Sequence, residues 1–260
     1  MGEFSRATAI TSSGERSFAA VIPPGWDIVG RVNGGYLMAV AARASAALSG
    51  RPAPVTMTAH FLAPAVAGPV AVTAEVLKAG KRFSTVRAAV AGDRTILEAL
   101  GTFGDGDGVY EGYERIDGGP PDLPEPDDCI EVLPTETFPP PFVGRIEMRI
   151  HPDNAAFGGT GRPRVSGWVR LRDGEPIDEV ALLMLADSFP PAVFFTDASV
   201  GWVPTVELTV HVRRRPVRGW LRGVFTSHFI TDGMLEEDGE LWDESGRLVA
   251  QSRQLALVPR

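Results

Sequence analysis

Asn33-Gly34-Gly35-Tyr36-Leu37-Met38-Ala39-Val40-Ala41-Ala42-Arg43-Ala44-Ser45-Ala46-Ala47-Leu48-Ser49-Gly50 is the stretch that decides the fold. From Tyr36 to Leu48 it contains no Gly or Pro and consists mostly of good helix formers. Asn33 is a ready N-cap, and Gly50 is placed as a C-terminal stop. The segment is apolar nearly all round, interrupted by Arg43 and Ser45, so the helix is expected to be enclosed by protein. The next fifty residues supply the enclosure. Val55–Leu62 alternates with period two and ends at Pro64. Val70–Leu77, Arg82–Val90 and Thr95–Phe103 come next, divided by turn signals at Lys78-Ala79-Gly80-Lys81 and Gly92-Asp93. With the short strand Ser17–Val21 ahead of it, one helix followed by a meander predicts a sheet wrapped around that helix.

The second half repeats this order. Strands at Gly144–Ile150 and Arg164–Leu171 precede a helix at Glu179–Ser188, capped by Asp178 and ended by Pro190 and Pro191. Strands at Thr205–Arg213, Trp220–Ile230, Met234–Trp242 and Arg247–Val258 follow. Thr58-Ala59-His60-Phe61 corresponds to Thr209-Val210-His211-Val212, 151 residues on, and Leu97-Glu98-Ala99 falls opposite Leu248-Val249-Ala250 at the same offset. A duplicated helix-plus-sheet unit of α+β class is the economical reading. It gives units at 1–104 and 142–260. The connector at 105–141, rich in Gly, Pro, Asp and Glu, is expected to run along the surface.

Composition narrows the function. A net charge of −8 argues against nucleic acid as a partner. The single cysteine, Cys129, excludes an internal disulfide. No run is long and apolar enough for a membrane helix, and the N-terminus lacks a basic-then-apolar signal, so a cytoplasmic protein is expected. No metal site is expected: His60, His151, His211 and His228 are scattered, and Asp105 with Asp107 lacks the rest of a calcium loop. There is no G-x-S-x-G elbow and no glycine-rich phosphate loop.

One acid stands out. In Ala181-Leu182-Leu183-Met184-Leu185-Ala186-Asp187-Ser188-Phe189-Pro190-Pro191, a carboxylate closes an apolar run where a buried helix should end. Desolvation penalises the ionised form there, so Asp187 is either a pinned structural acid or a working one. The first helix carries no acid at all.

The chain resembles the double-hotdog acyl-CoA thioesterases, the type II bacterial enzymes and their actinobacterial relatives. The residues that carry the likeness are Trp26, Asn33-Gly34-Gly35-Tyr36-Leu37, His60-Phe61-Leu62-Ala63-Pro64 and Val76-Leu77-Lys78-Ala79-Gly80-Lys81-Arg82-Phe83-Ser84-Thr85. In the second half they are Ala186-Asp187, Pro204-Thr205 and Ser252-Arg253-Gln254. The resemblance implies two tandem hotdog units hydrolysing acyl-CoA through a water held by Asp187, Thr205 and Gln254, with no cofactor. Amides near Gly34 and Gly35 are the expected oxyanion site, since a glycine-led helix start points N–H groups outward. Arg213 and Arg215, in the cluster with Arg214, Arg218 and Arg222, are candidates for the CoA phosphates, or else pair with the acidic connector. A homodimer or larger homo-oligomer is expected, and a non-catalytic acyl-binding protein is the rival reading. Thr205 poses a problem: strict alternation sets it with Glu207, Thr209 and His211, away from the interior face of Leu208, Val210 and Val212.

Overall fold

The computed structural model describes residues 1–106, 113–135, 139–154, 161–198 and 201–258. Asp107, half of the partial calcium pattern, lies outside them. The N-terminal half contains helix α1 (Glu3–Ala7), strands β1 (Ile10–Gly14) and β2 (Ser17–Ile22), and a small hairpin, β3 (Asp27–Ile28) with β4 (Arg31–Val32). Helix α2 (Gly34–Ser49) follows, then β5 (Ala53–Phe61), β6 (Gly68–Ala79), β7 (Ser84–Ala91) and β8 (Thr95–Gly104). The rest comprises β9 (Ile130–Val132), β10 (Ile146–Ile150), β11 (Arg164–Leu171), helix α3 (Glu179–Leu185) and β12 (Thr205–Val212). It ends with β13 (Leu221–Thr226), β14 (Ile230–Thr231), β15 (Met234–Asp243) and β16 (Leu248–Leu257).

One antiparallel sheet runs in the order β1-β2-β6-β7-β8-β5-β12-β16-β15-β13-β11-β10-β9, with β14 beside β15. The order reads the same outward from its centre: β5, β8, β7 and β6 on one side answer β12, β16, β15 and β13 on the other. Thr58 on β5 faces Thr209 on β12, and their hydroxyls hydrogen bond at 2.8 Å. The internal two-fold axis therefore passes through the very residues whose wording repeats. The last strands depart from that offset. Glu98 stands opposite His60, and the residue opposite His211 is Gln251, two positions beyond where the 151-residue spacing would put it. This is the tandem hotdog architecture, each half-sheet closing on one helix.

Helix α2 is capped as its ends dictate: the Asn33 side chain accepts from Tyr36 N at 2.8 Å, and Gly50 takes a left-handed φ of 67°. Ten of its residues are buried, and Arg43 escapes to an ion pair with Asp178, the N-cap of α3, at 2.8 Å. The start of α2 is fixed from outside. Trp26 stacks on Tyr36 at 5.0 Å, and its carbonyl accepts from Asn33 N. Helix α3 stops at Leu185, three residues short of the expected Ser188, and Ala186–Asp187 form a turn against α2. The connector does more than cover surface. Its β9 joins the edge of the sheet beside β10, and Glu114 pairs with Arg214 at 3.2 Å. Among the described residues no helix is long and apolar enough to cross a membrane.

Candidate active site

Asp187 is where the two helices meet. Its Oδ2 accepts from Gly35 N at 2.8 Å and from Asn33 Nδ2 at 3.0 Å, while its backbone carbonyl accepts from Asn33 Nδ2 at 2.8 Å. The close approach depends on glycine. A Cβ on Gly35 would lie 2.6 Å from the Leu183 carbonyl and 2.8 Å from both Asp187 Cβ and Met184 Cα. Burial pushes the Asp187 carboxyl up to about 6, against the pull of bonds from Gly35, Asn33 and Gly34. Asp187 is half-buried and borders a large cavity, yet burial still dominates the shift. The helix start that was expected to receive an oxyanion is thus already engaged: Gly35 N–H holds the acid, because a carboxylate lies across the positive end of α2.

Thr205 reaches the interior by a bulge. The register between β12 and β16 slips between Thr205 and Glu207, which releases Thr205 from the alternation that would turn it outward. Its Oγ1 donates to Gln254 Oε1 at 2.8 Å. Gln254 Nε2 donates to Glu237 Oε1 at 2.8 Å, and Glu237 Oε2 accepts from Ala192 N at 2.5 Å. Glu237 is 4% exposed. Burial pushes its carboxyl up to about 7 against the bonds from Ala192 and Gln254, and the charges of Asp187 and Glu236 raise it further. Sequence alone did not single out Glu237, although β15 carried a signal: Leu235, Glu237, Gly239 and Leu241 alternate onto one buried face, and an acid among them is out of place.

Asp187, Thr205 and Gln254 all border one cavity of about 1560 Å³. Its walls are mostly apolar and include Leu37 of α2, Phe61 of β5, Phe142, Phe189 and Phe194, and, from the connector, Val132. Gly34 also borders it. Arg213 and Arg215 do not: Arg213 donates to Gln251 at 2.7 Å, and Arg215 donates to Glu179 at 2.7 Å. The arginine at the cavity is Arg31, whose guanidinium lies 5.0 Å over the Trp202 ring. Among the described residues no group of three or more metal-ligating side chains occurs.

The first half lacks the equivalent side chains. Gln254 stands between Leu208 and Glu237, as Gly101 stands between Met57 and Val86. The counterparts of Thr205, Gln254 and Glu237 are therefore Pro54, Gly101 and Val86. A Cβ on Gly101 would lie 2.7 Å from the Phe103 ring, so an aromatic occupies the space where a polar chain would stand.

Residues 22–104 match the acyl-CoA thioesterase N-terminal domain, and residues 119–258 match the acyl-CoA thioesterase C-terminal domain. A candidate thioesterase II from Thermobifida fusca is 36% identical and superposes with a TM-score of 0.90, covering 100% of this chain and 98% of that one. A hot dog fold protein of unknown function from Alicyclobacillus acidocaldarius superposes with a TM-score of 0.89 at 23% identity, over 100% of this chain and 99% of that one. An uncharacterized protein of Mycobacterium tuberculosis is 30% identical over 270 residues, spanning 94% of this chain and 91% of the relative.

Proposed function

Because this chain belongs to the acyl-CoA thioesterase family, we propose that it hydrolyses acyl-CoA to a free carboxylic acid and CoA at the cavity bordered by Asp187, Thr205 and Gln254. The observation that carries the reading is that these three polar side chains border one cavity whose walls are mostly apolar. Asp187 Oδ2 is anchored by Asn33 and Gly35, which leaves Oδ1 to a water. The proton passes from that water to Asp187, and the hydroxide oxygen forms its bond to the thioester carbonyl carbon. Collapse of the tetrahedral adduct breaks the carbon–sulfur bond, and the departing thiolate takes the proton back. A base titrating near 6 is ionised at neutral pH yet strong enough to receive a proton. The positive end of α2 aids the reaction by steadying the carboxylate of Asp187.

The apolar walls suit an acyl chain, and the polar groups gathered at Asp187 suit the thioester. We read acyl-CoA as the partner and the cytoplasm as its place of action. Thiol release from a panel of acyl-CoAs tests this in the wild type, Asp187→Asn and Gln254→Ala. Turnover that survives both substitutions overturns the mechanism, and ligand binding by the wild type with no thiol released supports a binding protein instead.

A further inference from the structure

We propose that Glu237 is a positioning residue of this site, fixing which end of the Gln254 amide faces Thr205 and thereby which way the attacking water points. This role rests on acyl-CoA hydrolysis at the cavity. Glu237 sits behind Gln254, fully enclosed, and does not itself border the cavity. Its two carboxylate oxygens each face a donor: Oε2 meets Ala192 N–H and Oε1 meets Gln254 Nε2. Once ionised, above about pH 7, the Glu237 carboxylate only accepts, so it holds the NH₂ end of the Gln254 amide toward itself. The carbonyl end must then face Thr205, whose hydroxyl donates to it at 2.8 Å.

That leaves Thr205 only lone pairs to offer. A water between Thr205 and Asp187 gives one hydrogen to Thr205 Oγ1 and the other to the carboxylate, so its own lone pairs are free for the thioester carbon. If the amide were reversed, Thr205 would accept from Gln254 and donate its O–H to the water, occupying a nucleophilic lone pair. The chain from Ala192 through Glu237 and Gln254 to Thr205 therefore sets the sense of every hydrogen bond at the water. In the first half of the molecule, Val86 and Gly101 stand where Glu237 and Gln254 would be, so the acid accompanies the polar site and not the fold. The charges acting on Glu237 are Asp187 and its strand neighbour Glu236, both carboxylates. No cation among the described residues bonds to it.

Glu237→Gln tests the proposal. One amide cannot accept at both ends, so with Ala192 N–H satisfied it turns an NH₂ toward Gln254 and reverses that side chain. The expected result is a kcat lower by about 10- to 100-fold with KM within about twofold. The same substitution is expected to have no further effect in a Gln254→Ala background. The pH dependence separates positioning from a merely structural role. In the wild type both Asp187 and Glu237 must be ionised, so the acid limb of kcat/KM follows two protons, and in Glu237→Gln it follows one. A kcat within twofold of wild type overturns the proposal. Should Glu237→Gln not fold, the wild-type profile decides alone, a one-proton acid limb overturning it. Loss of activity in Asp187→Asn and Gln254→Ala with Glu237→Gln unaffected removes this inference only. Full activity in the first two removes the mechanism at Asp187, and binding without thiol release by the wild type removes the hydrolytic reading itself.

Discussion

Replacing Asp187 with Asn should disable the enzyme and stabilise it at neutral pH, and the size of the second effect comes from the site. The Asn fits without rearrangement: its carbonyl oxygen takes the place of Oδ2 and keeps the bonds from Gly35 N and Asn33 Nδ2, while its NH₂ faces the cavity. What disappears is a buried charge. In the wild type burial raises the carboxyl from 3.8 to about 6. A shift of that size corresponds to about 3 kcal/mol between the folded and unfolded states. The sign is set by proton binding. The folded chain holds this proton more tightly than the unfolded one, so stability falls as pH rises from about 4 through 6 and stays lowered above that range. The Asn variant has no such dependence at this site. Its stability should therefore gain on the wild type by about 3 kcal/mol between pH 4 and pH 7, a melting difference on the order of 6–12 °C for a chain of this size. Urea titrations of both proteins across that range measure the gap, and thiol release should fall by at least about 100-fold in the variant. A gap that stays flat with pH would refute the claim that Asp187 is held as a desolvated base, whatever happens to the activity.

Other substitutions probe the neighbouring contacts. Thr205→Val keeps the shape but removes the hydroxyl that donates to Gln254, so kcat should fall by about tenfold or more while urea stability changes by no more than about 1 kcal/mol. Gly35→Ala puts a methyl group into the backbone of α3 at Leu183 and Met184 and against Asp187. It should destabilise by about 1–3 kcal/mol in the same titration and also lower turnover by displacing the acid. Arg213→Ala should leave KM for acyl-CoA within about twofold of wild type, because that side chain is bonded to Gln251 and does not border the cavity.

The periodic parts of this protein are legible from sequence. Strand β11 runs from Arg164 to Leu171 as expected, and the Asn33 and Gly50 caps of α2 are as expected, since strand propensity and capping are local rules. Where sequence falls short, the deciding contact is not local. Helix α3 ends early because the turn at Asp187 is drawn onto the start of α2, 152 residues away from Gly35 in the chain. Asn33 is identifiable as a cap, but its amide also binds the catalytic candidate, a role visible only once the helices are packed. Arg213 and Arg215 look suited to phosphate because guanidinium runs often are. Their partners lie on β16 and α3 and could not be named beforehand. Thr205 poses the sharpest conflict: its parity points the wrong way, and the slip between Thr205 and Glu207 resolves it.

That slip occurs in both halves, so it is the side chains and not the backbone that confine the polar set to one of them. A hotdog pair has an internal two-fold axis, here at Thr58 and Thr209, and any side chain essential to chemistry could occur on both sides of it. The first half has a matching slip, between Pro54 and Thr56, so the backbone geometry that turns Thr205 inward is retained there. The side chains are not. Proline offers no hydroxyl, Gly101 no amide, Val86 no acid, and Phe103, fully buried, fills the space. Burying several polar groups without a use for them is costly, whereas an aromatic in the same volume contributes to the core. The unused half is thus free to become packing, and the half that keeps Asp187 must also keep the donors and acceptors that satisfy it. The polar set should therefore stand or fall as a unit, with Glu237 as much a part of it as the three residues that face the cavity.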